Sequence, residues 1–232
     1  MTEFVSELSP VPGRNFIRLG FICLGTLLAL MVALYGIAFP LILPEMQDEF
    51  HQRYLSMSQT LVYMHVVGAG VALFISPIQF MIYRKNRILH RYMGRVYFLA
   101  VMVGSIGGYY MAWYAFGGMI STVGLGILST LWWSFTLIAV IHARAGNMTA
   151  HRRWMIRSFS LTFAAVTLRL LSPFLSMVFD DATTSQIVYW VSWSLNLALA
   201  QLWMNWQART QVGSATRSTT KYDLASISPG FH

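Results

Sequence analysis

Long apolar runs separated by short charged stretches set the pattern of this chain. Six such runs are present: Ile17 to Phe39, Leu55 to Tyr83, Tyr92 to Phe116, Ile120 to Ile141, Met155 to Phe179 and Gln186 to Trp206. Each exceeds the ~20 residues that an α-helix needs to cross a ~30 Å hydrocarbon layer. None shows the alternation of a barrel strand, and helices are the other spanning form that satisfies every backbone group internally. The pattern predicts an all-α, polytopic membrane bundle of six transmembrane helices over residues 17–208. A short segment, 1–16, precedes it and a polar tail, 209–232, follows. The Ser/Thr-rich tail is expected to lack regular structure. Arg14 ahead of the first run and Arg18 at its start resemble a signal peptide, but the run is too long for one and is expected to be retained.

The polar positions between the runs assign the sides. Arg84, Lys85, Arg87 and Arg91 lie between runs two and three, with Arg95 in the first turn of run three, and Arg144, Arg152 and Arg153 lie between runs four and five, with Arg157 in the first turn of run five. Arg14 comes before the first run and Arg18 stands at its very start; Arg209, Arg217 and Lys221 follow the last. The opposite connections carry Glu45, Asp48, Glu49, Asp180 and Asp181 against a single Arg53. Basic loops stay in the cytoplasm, so both termini are expected there, in a bacterial inner membrane.

Composition agrees with this picture and narrows the function. The chain is 56% hydrophobic and 10% charged, where a soluble domain carries roughly 25% charged residues. The net charge of +8 would raise nucleic-acid binding in a soluble protein. Here the basic residues sit between spans, no soluble module exists to bind a nucleic acid, and membrane lipid is the expected contact. Cys23 is the single cysteine, which excludes an intrachain disulfide and a Cys-x-x-Cys site. No His-Glu-x-x-His or nucleophile-elbow pattern points to zinc or serine hydrolysis.

Two ionisable residues fall deep inside the runs, beyond their first turns: His65 and Arg169, each ten residues from the outer end of its run. Such residues face a partner, a cavity or a ligand, or bond backbone and reach toward headgroups. No Asp or Glu lies inside a run, which weighs against a proton-coupled carrier. A second group gathers on the basic side: His90-Arg91 and Arg95, His142, and His151-Arg152-Arg153 with Arg157. Spacings of four place Arg91 over Arg95 and Arg153 over Arg157. Two His-Arg pairs at helix starts favour an anion, such as a lipid phosphate, a carboxylate or a haem propionate. Holding topology alone is the competing explanation for the arginines. Gly68, Gly70, Gly104, Gly107 and Gly108 are expected to allow close helix approach. Pro77 and Pro173 are expected to bend their helices. Asn196 and Gln201 are expected to form interhelical hydrogen bonds, and Tyr109, Tyr110, Trp113, Trp203 and Trp206 to anchor at interfaces.

His65-x(11)-Pro77-x-Gln79, His90-Arg91-x-x-Gly94-Arg95-x-Tyr97 and His151-x-x-Trp154-Met155-x-Arg157, with Arg169 downstream, resemble the membrane-protein family known as domain of unknown function 2306. The resemblance covers about Tyr63 to Pro173 and implies a helical membrane fold with a histidine-rich core. A looser resemblance is to cytochrome b561-like and ferric-reductase-like proteins, which hold haem b between histidines on consecutive helices. It would make His65, His90, His142 and His151 ligand candidates, with iron taken by two of His90, His142 and His151. His65 lies about 27 Å along its helix from the cytoplasmic end, too far to share a haem with His142. Three functions remain open from the sequence. One is a redox protein holding haem b or a quinone. Another is a non-redox binder or carrier with an Arg/His pocket for an anionic lipid or metabolite. The last is an accessory subunit of a larger membrane complex.

Overall fold

A computed structural model describes residues 12–46, 54–83 and 85–227. The segment before Pro12, Asp48, Glu49, Arg53 and Arg84 lie outside the described residues, as do the side chains of Arg14, Arg18, Arg217, Lys221 and Asp223. The described chain is helical throughout: α1 (Pro12–Ile42) with a 3-10 turn at Leu43–Glu45, α2 (Gln59–Ile82), α3 (Arg87–Trp113), α4 (Met119–Arg144), α5 (Met148–Thr162), α6 (Ala164–Leu175) and α7 (Asp181–Ile227). Five stretches are long and apolar enough to cross a membrane: Leu19–Glu45, Gln59–Ile82, Arg87–Trp113, Met119–Arg144 and Met148–Leu175, the last being α5 and α6 together. In α7, Trp190, Ser192, Trp193, Ser194, Asn196 and Gln201 dilute the hydropathy, so it is not among the five. Its helix also continues to Ile227, past Arg209, where polar composition predicts little regular structure.

The chain forms two compact units, Met1–Thr130 and Leu131–His232, with the boundary inside α4. In the first, α2 packs against both α1 and α3. Glycines make this possible, on opposite faces of α2. A Cβ at Gly70 would lie 2.9 Å from the Ala33 carbonyl oxygen and 3.2 Å from Gly36 of α1. A Cβ at Gly68 would lie 2.8 Å from the Ala100 carbonyl oxygen and 3.0 Å from Gly104 of α3. Backbone meets backbone at these crossings, which is how helices associate where lipid removes the hydrophobic drive. Toward the α1–α2 connection, Phe39, Leu43 and Val62 form a core with Tyr35, Tyr54 and Tyr63 around it. Phe39 meets Tyr35 and Tyr54 edge-on at 5.9 Å.

The second unit is held by hydroxyl and amide side chains. Trp132 of α4 donates its indole N–H to Thr162 of α5 at 2.8 Å, and Thr136 pairs with Ser158 at 2.7 Å. Asn196 of α7 accepts from Thr167 of α6 at 3.0 Å and donates to the Ser160 carbonyl at 3.3 Å. The span of α5 and α6 breaks at Phe163, ten residues before Pro173, while helix continues through both Pro77 and Pro173. Ser160 and Thr162 bond the carbonyls of Arg157 and Ser158 in the preceding turn. Such back-bonding competes with the helix ladder and bends it.

Candidate functional site

Two helical hairpins, α2–α3 and α4–α5, are built alike where the sequence places its His-Arg pairs. Asn86 caps α3 by accepting from the Leu89 N–H at 2.9 Å, and Asn147 caps α5 by accepting from the Ala150 N–H at 3.0 Å. In each case the histidine follows the cap by four residues, so His90 and His151 donate the first ladder bonds back to Asn86 and Asn147. Each histidine then packs on the preceding helix. The His90 ring meets Tyr83, at the C-terminal end of α2, edge-on at 6.5 Å, and its carbonyl accepts from Gln79 of α2 at 3.0 Å. His151 Nδ1 donates to the Ala139 carbonyl of α4 at 2.9 Å. The α4–α5 connection is tight because Gly146 takes φ +77°, which lets Asn147 N–H reach back to the His142 carbonyl.

His65 sits half-buried on α2 against α3, and its Nδ1 lies 2.8 Å from the Gly104 carbonyl oxygen. A carbonyl only accepts, so Nδ1 carries the proton and the neutral ring keeps its lone pair on Nε2. Glycine is required around the ring. A Cβ on Gly107 would overlap the Leu61 carbonyl oxygen and lie 2.6 Å from His65 N. A Cβ on Gly108 would lie 3.0 Å from His65 Nδ1 and 2.8 Å from the Ser129 hydroxyl of α4. On the same pair of helices an apolar groove of about 430 Å³ is lined by Tyr63, Val67, Gly68, Val71, Val96 and Leu99, among others.

The remaining candidates are distributed between the units. His65, His90, Arg91 and Arg95 belong to the first; His142, His151, Arg152, Arg153, Arg157 and Arg169 belong to the second. Within the first unit His65 and His90 do not meet. His65 bonds Gly104, fourteen residues and roughly 21 Å of helix rise from His90. Arg91, Arg95, Arg152 and Arg153 are exposed, and Arg95 lies over the Tyr92 ring at 5.5 Å. Arg169 is exposed and donates to the Ala165 carbonyl of its own helix at 3.0 Å. Arg157 is half-buried; Nε and Nη2 both donate to Gln201 Oε1 of α7, at 3.2 and 2.8 Å, and its guanidinium stacks on Trp154 at 4.6 Å. Among the described residues no group of three His, Cys, Asp or Glu side chains could hold a metal ion. The Tyr110 hydroxyl accepts from the Ser58 N–H at the start of α2.

Sequence reasoning passed over Asn86 and Asn147, although an Asn just ahead of a helix is an ordinary start signal. It also left the partner of Gln201 unassigned, because no pattern links residues 44 positions apart.

These long apolar helices and their glycine crossings define a multi-pass helical membrane protein. The chain belongs to the predicted membrane protein family known as domain of unknown function 2306, whose model matches residues 62–204. That match takes in α2 to α6 and the first half of α7. No curated protein and no solved structure matches the chain.

Proposed function

We propose that the chain crosses a bacterial cytoplasmic membrane six times, with both termini on the cytoplasmic side, and that His65 holds the headgroup of a quinone there. The basic connections after α2 and α4 and the basic stretch after Arg209 share one side only when α7 also crosses. No charged residue lies between Asp181 and Arg209, a stretch long enough to do so. A reporter fused after residue 232 should read cytoplasmic and one inserted at Ala182 should read external. Opposite results for either would refute the topology.

The carrying observation for the ligand is the bond from His65 Nδ1 to Gly104. It fixes the ring at membrane depth and sets its tautomer, so that Nε2 is the ring atom that would meet a headgroup. Neutral, Nε2 accepts a hydrogen bond from a quinol hydroxyl; protonated, it donates to a quinone carbonyl. A quinone needs one such group. A haem b would need a second histidine facing the same iron, and within the first unit His90 is some 21 Å of rise away. An apolar groove on the same two helices, lined by other residues than His65, suits an isoprenoid chain.

The test is solvent extraction of protein purified in mild detergent, with absorbance recorded before and after dithionite. Wild type should yield a quinone that His65→Ala loses, and neither should show b-type bands. Quinone-free wild type refutes the proposal, and reduced b-type bands would transfer it to haem.

A further inference from the structure

Arg157 carries a positive charge inside the α5–α6 span and is held by a neutral partner. Its Nε and Nη2 both donate to Gln201 Oε1, and it meets no carboxylate among the described residues. A guanidinium only donates, so the Gln201 oxygen must face it and the Gln201 nitrogen must face away. That nitrogen donates to Asn205 Oδ1 at 2.8 Å. Asn205 Nδ2 is therefore turned outward, from an exposed side chain, with two N–H donors. The relay uses the Gln201 and Asn205 amide oxygens as its acceptors and ends in donors at both edges: Nη1 of Arg157 and Nδ2 of Asn205. Arg153 lies one turn earlier on the same face of α5 and is exposed.

Trp154 covers one face of the Arg157 guanidinium and is itself wedged against Phe135 at 5.0 Å. The plane of the guanidinium is thus fixed, and an incoming group approaches along its edge. Helical side chains lean toward the helix N-terminus, so Arg157 reaches back toward the α4–α5 hairpin, where phosphates of the nearer leaflet lie. A half-buried charge with no counter-ion is costly, and an anion offsets it. Donors only, a fixed fork and an uncompensated charge are the features that recognise a phosphate.

We propose that Arg157, Arg153 and Asn205, aligned by Gln201 and Trp154, form a phosphate site that takes the headgroup of an anionic phospholipid. It lies on different helices from His65 and is independent of the quinone proposal.

The test compares full-length wild type, Gln201→Glu and Asn205→Asp in nanodiscs, with retained lipid read by native mass spectrometry. Gln201→Glu places a carboxylate on Arg157 and reverses the second link, since a carboxylate only accepts and Asn205 must then turn its Nδ2 inward. Asn205→Asp keeps the acceptor for Gln201 and replaces the outward donors with an acceptor. Wild type should prefer phosphatidylglycerol over phosphatidylcholine, and each variant should lose about tenfold of that preference, roughly one charge-assisted hydrogen bond. Melting temperatures should be unchanged or raised for Gln201→Glu. Inorganic phosphate is then added: displacement of phosphatidylglycerol identifies a site open to free phosphate, and retention identifies one restricted to lipid, both within the proposed chemistry. Equal binding of the two lipids by wild type overturns the proposal, as does an undiminished preference in a folded variant.

Discussion

Replacing Gly107 with alanine adds one methyl group at the tightest point of the first unit. That methyl would lie 2.6 Å from His65 N and 3.0 Å from His65 Cβ, and nearer still to the Leu61 carbonyl oxygen. None of these is the end of a flexible side chain. The only relief is for α2 and α3 to move apart, and overpacking of this kind costs about 1–3 kcal/mol. Separation also stretches the 2.8 Å contact between His65 and Gly104, a bond worth about 0.5–1.5 kcal/mol. Together the loss is on the order of 2–4 kcal/mol. For a chain of this length each kcal/mol moves the melting point by about 2–4 °C, so a fall of roughly 5–15 °C is expected.

The control is internal. Gly126 and Gly20 are helical glycines with nothing within 4 Å of an added Cβ. There alanine should be neutral or stabilising, by up to about 1 kcal/mol of helix propensity. Thermal unfolding of the three variants in one mild detergent, followed by size-exclusion chromatography, reads the difference. If Gly107→Ala melts with or above Gly126→Ala, the close α2–α3 crossing is wrong, and with it the setting of His65.

Thr162→Val removes the acceptor for the Trp132 indole N–H in a buried place and should destabilise by about 1–3 kcal/mol; an unchanged melting point would exclude that bond. Asn86→Ala and Asn147→Ala should each cost about 1 kcal/mol through loss of a helix cap, and their effects should add in the double variant, since the caps share no partner. Asp180 accepts from the Thr183 N–H and hydroxyl at the start of α7, and these bonds hold its carboxyl below the ordinary value. A lowered value in the folded state stabilises above the ordinary carboxylate range, and the contribution fades as pH falls through the lowered value. Protection of the Thr183 amide should therefore drop on acidification from pH ~6 to ~3 in wild type relative to Asp180→Asn, which caps without titrating. Parallel profiles for the two proteins would contradict the assignment.

Hydropathy located the apolar segments but not the helix ends. The third run begins at Tyr92 because apolar character marks the edge of the lipid, whereas α3 begins at Arg87 because Asn86 caps it there. The glycine crossings were legible, since small residues in apolar helices have few other uses, and Gly68 and Gly104 do meet. The site was legible only in part. His65 stands out as an ionisable residue inside a span, yet its contact with the Gly104 carbonyl depends on the register of two helices, which no local pattern encodes. Arg157 and Gln201 present the same difficulty across 44 residues. The Phe163 break arises from Ser and Thr back-bonding, a weaker signal than the proline at 173.

The crossings of α1, α2 and α3 have a consequence for the lipid around them. Where Gly36 faces Gly70 and Gly68 faces Gly104, the backbones touch with no side-chain layer between them. An acyl chain is thicker than any gap such a seam can open. Lipids can coat the outer faces of these helices, but they cannot wedge between backbones that touch. Neither the α1–α2 seam nor the Gly68–Gly104 crossing is a path from the lipid to His65.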